Sequence, residues 1–142
     1  MSYEELVETL KIFEKKGFEG IWELVFTKGS TDIEAYLNPL FKKEILLEFV
    51  NSLQYKTPSK AEESAKKVRL LMSLFDEIKR NNYLFSHSMF RYVEEIYALF
   101  SKYNLHNCDL NFGSYVQKSH ARKILESFVD KLKEEISKNI KG

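Results

Sequence analysis

The stretch AKKVRLLMSLFDEIKRN, residues 65–81, decides the fold class. Its apolar residues Ala65, Val68, Leu71, Met72, Phe75 and Ile78 recur every three or four positions, the spacing that lines one stripe of a long helix. The opposite face carries Lys66, Lys67, Arg69, Asp76 and Lys79, with Glu62 and Glu63 a turn earlier, some near enough in helical spacing to form weak ion pairs. Upstream, Thr57-Pro58 reads as an N-cap followed by the first helical position. Downstream, Asn81-Asn82 reads as its end.

The same signals recur on both sides. Ser2 with Glu5 makes a capping box, and Leu6, Val7, Leu10 and Phe13 follow at helical spacing until Gly17 stops them. The segment GFEGIWELVFTKG (17–29) is nearly continuously apolar from Ile21 to Phe26 and fits a short helix or a buried strand, with helix the expectation. Asn38-Pro39 opens a segment reaching Tyr55 that carries Leu40, Phe41, Ile45, Leu46, Phe49, Val50 and Leu53. After the Asn-Asn break, Ser86 or Ser88 caps a helix with Met89, Phe90, Val93, Ile96, Tyr97 and Phe100 inward. KYNLHNCDLNFGS (102–114) is expected as a loop, and Ser114 as the cap of a last helix burying Ile124, Leu125, Phe128, Leu132 and Ile136. No repeat at solenoid periods and no low-complexity tract interrupts this order. The expected fold is all-α, a bundle of five to six helices in one domain spanning residues 1–142.

Composition narrows the functional classes. Five Gly and two Pro in 142 residues, with abundant Lys, Glu and Leu, suit helices. The formal charge is +1, yet residues 1–57 hold seven Lys/Arg against ten Asp/Glu, and residues 58–142 fifteen against eleven. The second part is therefore the more basic. Cys108 is alone, which excludes an internal disulfide or a CxxC site and leads us to expect a reducing, cytoplasmic compartment. No stretch of signal-peptide character opens the chain and no eighteen-residue apolar window follows, so neither export nor membrane spanning is expected.

Chemistry-bearing motifs are sparse. His87, His106 and His120 lack a Cys or second His at ligand spacing, so no metal site is expected. No Gly-rich phosphate loop, GxSxG or Ser-x-x-Lys arrangement occurs, and no cofactor is expected. Two features remain. In YVQKSHARK (115–123), Lys118, His120, Arg122 and Lys123 gather at the start of the last helix, with no acidic residue between Asp109 and Glu126. Lys118 and Arg122, four apart, share a face and raise the local positive potential, which suits phosphates. Tyr103 and Tyr115 nearby are of the type that stacks on bases. Most of the eleven Phe, eight Tyr and one Trp fit into one modest core, but some are expected to form an exposed apolar surface for self-association or a partner subunit, densest around IWELVF (21–26).

Two resemblances give these features functional content. RNNYLFSH (80–87) resembles the motif of the HEPN family of metal-independent ribonucleases, in which an Arg, a polar residue and a following His act together. The resemblance implies that His87 exchanges a proton with the attacking or leaving oxygen while Arg80 stabilises the phosphorane. AKKVRLLMSLFDEIKRN (65–81) and MFRYVEEIYALFSKYN (89–104) are similar to the small subunit of type III-A CRISPR (Csm) interference complexes, in the Val68-Arg69 helix and in Glu95, Ile96 and Leu99 of the next. That likeness covers roughly residues 60–140. It implies a non-catalytic subunit that binds guide RNA and target RNA and contacts the other subunits of the effector complex. Its RNA-binding residues are expected at Lys66, Lys67, Arg69, Arg80, Lys118, Arg122 and Lys123; Arg69 rests mainly on the resemblance, and Lys118, Arg122 and Lys123 on local charge. A helical interaction module without a nucleic-acid role is the third reading.

Overall fold

The amphipathic stretch at 65–81 lies inside a helix of 23 residues, α4 (Pro58–Arg80). Thr57 caps it as the sequence predicts, its Oγ1 accepting the Lys60 N–H at 3.3 Å, and Pro58 stands at the first helical position. Nine residues of α4, from Ala61 to Ile78, are buried. Around it lie α1 (Tyr3–Thr27), α2 (Ile33–Leu37), a 3-10 turn (Asn38–Phe41), α3 (Lys43–Asn51), a second 3-10 turn (Asn82–Leu84), α5 (His87–Lys102) and α6 (Tyr115–Asn139). The computed structural model describes residues 2–103 and 115–139, with the side chains of α6 described from Arg122 to Lys138. Among the described residues there are six helices and no strand, so the protein is an all-α bundle. α4 packs against α1, α5 and α6, and α3 against α1 and α6. No helix among the described residues is long and apolar enough to cross a membrane.

Gly17 ends the first helical run, and the chain then reverses. Its backbone, φ 68° and ψ −158°, lies in a region open essentially to glycine alone. Residues eight and twenty apart along α1 consequently meet. A Cβ placed on Gly20 would stand 2.8 Å from Ile12 Cγ2, and Lys28 Nζ is 4.0 Å from Glu8 Oε1. On an unbroken helix twenty residues span about 30 Å. α1 is therefore a helical hairpin, and the segment 17–29 is its second, helical arm.

Two local expectations need correction, and one alternative is resolved. Ser2 occupies the N-cap of α1, but its side chain makes no capping hydrogen bond. Asn38-Pro39 does not open one long helix: Asn38 closes α2, whose cap is Asp32, and the chain passes through a 3-10 turn before α3 starts after Lys42. The Pro39 signal was right for a helical first turn and wrong for its length. Of the two candidate serines before α5, Ser86 is the cap, accepting the Met89 N–H at 3.2 Å. The expected cap at Ser114 and most of the 102–114 loop lie outside the described residues.

The phenylalanines form a continuous column through the core. Phe41 meets Phe75 edge-on at 5.1 Å between centroids, Phe75 meets Phe100 at 6.3 Å, and Phe100 meets Phe128 at 6.2 Å. Such edge contacts add about 0.5–1.5 kcal/mol each beyond the burial itself. The column ties the 3-10 turn, α4, α5 and α6 together and ends at Tyr103, whose ring stands edge-on to Phe128 at 6.1 Å and 78°. Among the described residues few aromatics lie outside: Trp22 stacks on an exposed Phe26 at 5.5 Å, and Tyr83 is exposed.

Candidate nucleic-acid interface

None of the six predicted basic residues whose side chains are described is buried, but they do not converge on one patch. Lys66, Arg69 and Arg80 fall on the solvent side of α4 at helical spacing, with Arg69 half-buried and the other two exposed. Lys66 lies 3.9 Å from Glu62, and Arg80 Nη1 lies 3.4 Å from Glu77 Oε1. Exposed pairs of this kind contribute little and exchange readily for another anion.

Lys67, also exposed, lies on the α1 side of α4. With Lys66 and Lys11 it edges a groove of about 300 Å³ whose apolar floor includes Val7, Leu10, Phe49 and Leu70. Glu14 and Glu63 share that edge, so its charge is mixed. A neighbouring groove along α1 includes Glu4 and Glu8, and one between α2 and α5 includes Asp32 and Glu34.

On α6, adjacent residues point about 100° apart, and Arg122 and Lys123 consequently serve different neighbours. Arg122 Nη1 donates to the main-chain oxygen of Lys56 at 3.0 Å, tying α6 to the segment that leads into α4. Lys123 lies on the α5 side, in a groove of about 340 Å³ with Tyr103, Ser127 and Lys131 over Ile124 and Phe128. Lys118 belongs to α6, but its side chain lies outside the described residues. Lys131 was not singled out from the sequence, although its spacing of eight from Lys123 puts it on the same side of α6.

The RNNYLFSH segment is the end of α4, a 3-10 turn and the start of α5. Asn81 Nδ2 donates to the Glu77 main-chain oxygen at 2.8 Å, and Arg80 is paired with the same residue's carboxylate. Ser86 is held by Glu34, whose Oε1 accepts from its N–H at 2.9 Å and from its Oγ at 2.5 Å. His87 follows as the exposed first residue of α5, and among the described residues no hydrogen bond joins it to Arg80.

Proton affinities shift mainly at tyrosines. Burial raises the Tyr103 hydroxyl above its ordinary value, helped by the charge of the Glu135 carboxylate. Burial likewise raises Tyr97, with Asp76 beside it, and Lys79 Nζ lies 4.3 Å over the Tyr97 ring. Tyr92 is pushed up to about 12 by burial and then by the charges of Glu44 and Glu95. Among the described residues no group of three or more His, Cys, Asp or Glu stands close enough to hold a metal ion.

Compared with protein-family models, curated proteins and solved structures, the chain matches none.

Proposed function

We propose that the protein is a non-catalytic, RNA-binding structural subunit of a multi-protein complex, of the kind represented by the small subunit of type III-A CRISPR interference complexes. In this reading Lys66, Lys67, Arg69, Arg80, Lys118 and Lys123 contact the phosphates of guide and target RNA, while Arg122, expected among them, is engaged with the Lys56 carbonyl. The observation that carries it is the solvent side of α4, where Lys66, Arg69 and Arg80 recur along a capped helix whose other side is anchored in the core. Cations fixed on such a rod contact a phosphate backbone without reading its sequence. The Trp22–Phe26 surface on α1 is apolar area suited to the other subunits or to a second copy.

The test is binding of several unrelated RNA sequences in EDTA at two salt concentrations. Affinity falls with salt for all of them, and Lys66→Glu combined with Arg69→Glu weakens all alike. For single strands the slope of log affinity against log salt is about −0.7 per phosphate contacted, so loss of two contacts flattens it by about 1.4. Absence of salt-dependent binding removes the reading. RNA cleavage in EDTA that His87→Ala abolishes replaces it with the ribonuclease reading of Arg80 and His87.

A further inference from the structure

Among the described residues, the groove between α5 and α6 differs from the three grooves described above in the charge that lines it. Each of those contains carboxylates; this one is lined by Lys123 and Lys131, Ser127, the Tyr103 ring and the apolar Ile124 and Phe128. Glu135, a turn beyond Lys131, is already engaged: Lys102 Nζ lies 3.3 Å from its Oε1. Glu126 and Asp130 are exposed on α6 but do not line the groove. Glu134 and Glu135 stand near Tyr103, but among the described residues neither Lys123 nor Lys131 makes a salt bridge.

Tyr103 is held in place. Its ring meets the Phe128 ring nearly at right angles at the end of the phenylalanine column. An aromatic ring restrained in this way needs little further ordering when a planar group stacks on it, which favours binding. Lys123 and Lys131, eight residues apart, are separated by about 12 Å along the helix axis. Their long side chains let them reach the phosphates on either side of a single nucleotide.

We infer that the α5–α6 groove is a binding site for single-stranded RNA, in which one unpaired base stacks on Tyr103 while the flanking phosphates meet Lys123 and Lys131. This rests on the RNA-binding reading and extends it from backbone contact to recognition of unpaired strands. Base faces are covered in a duplex, whereas any base of a single strand offers one, so the site prefers single strands and tolerates sequence.

The experiment measures fluorescence anisotropy of three labelled probes with the full chain: oligouridylate, an abasic strand of equal phosphate number, and an RNA duplex. Wild type binds oligouridylate about tenfold more tightly than the abasic strand, the size expected of one stacked base. Tyr103→Leu erases that difference, Tyr103→Phe retains it, and neither changes binding to the duplex. Lys123→Ala with Lys131→Ala flattens the salt slope by about 1.4. Equal affinity of the wild type for oligouridylate and the abasic strand overturns the inference, and that comparison needs no variant to fold. If Tyr103→Leu binds like wild type while Lys66→Glu with Arg69→Glu weakens binding, the groove assignment falls and the RNA-binding reading stands. If wild type binds none of the probes, both fall.

Discussion

Lys28 Nζ, at the C-cap of α1, lies 4.0 Å from Glu8 Oε1 although twenty residues separate them. The pair is half-exposed and adds little energy; its meaning is geometric, because it fixes the second arm of α1 back along the first. Gly17 makes the reversal possible with φ 68° and ψ −158°, and a Cβ there would meet nothing within 4 Å. The penalty of a side chain at this position is therefore conformational rather than steric.

Gly17→Ala should accordingly destabilise the protein by about 1–3 kcal/mol, the cost of holding a non-glycine residue in such a region. Thermal melting followed by circular dichroism checks this, with a fall of several degrees expected. An unchanged midpoint would show that the reversal does not depend on this backbone conformation. Gly20→Ala destabilises for a different reason, since its new Cβ would lie 2.7 Å from Lys16 Cβ and 3.2 Å from the Ile12 main-chain oxygen.

Ser64 is a polar residue in an otherwise apolar stripe, buried to 3 % exposure. Its Oγ accepts the Gln54 N–H at 2.6 Å and donates to the Gln54 main-chain oxygen at 3.0 Å, stapling the α3–α4 connection onto α4. Ser64→Ala removes both bonds with hardly any change in volume. A loss of about 1–2 kcal/mol is expected, read as a lower urea midpoint with an unchanged m-value.

Much of this fold was legible because its determinants are local. The stripe from Ala61 to Ile78, the Thr57-Pro58 start and the Gly17 stop are each decided by neighbours in the chain, and each stands as read. The Asn38–Tyr55 segment was misjudged because what divides it is tertiary. Tyr92 Oη donates to the Phe41 main-chain oxygen at 2.5 Å, fixing the end of the 3-10 turn against α5, a bond between residues 51 apart that no local pattern announces. The basic residues show the same division. Their exposure was readable from the helical period, but Arg122 and Lys123 are adjacent in sequence and separate in role, and only the packing of α6 against two different neighbours reveals it.

The burial of Tyr92 also gives stability a pH dependence. Burial raises the folded hydroxyl to about 12, against 10.0 for the ordinary group. Between these values the unfolded chain loses the proton while the folded chain keeps it, so the unfolded state binds fewer protons and stability falls as pH rises. The contribution is complete below pH 10 and is lost through pH 12. Tyr92→Phe removes this titration along with the hydrogen bond, so its stability should fall less steeply than that of wild type across that window in urea titrations at fixed temperature. Parallel curves would show that Tyr92 titrates alike in both states.

Arg122 and Lys123 provide the sharpest separation of structure from binding. Arg122→Ala breaks the 3.0 Å bond to the Lys56 carbonyl and leaves that oxygen to water, so a stability loss of about 0.5–1.5 kcal/mol is expected. Lys123 is exposed and edges the α5–α6 groove, where it makes no hydrogen bond or ion pair among the described residues. Lys123→Ala should leave the urea midpoint within about 0.5 kcal/mol of wild type, as surface substitutions generally do. It should nevertheless weaken binding of single-stranded RNA and flatten its salt slope by about 0.7, the share of one phosphate. Measuring both quantities on both variants decides the matter: a stability loss at Lys123, or unchanged RNA binding in its alanine variant, would mean that its place in the groove serves the fold rather than a ligand.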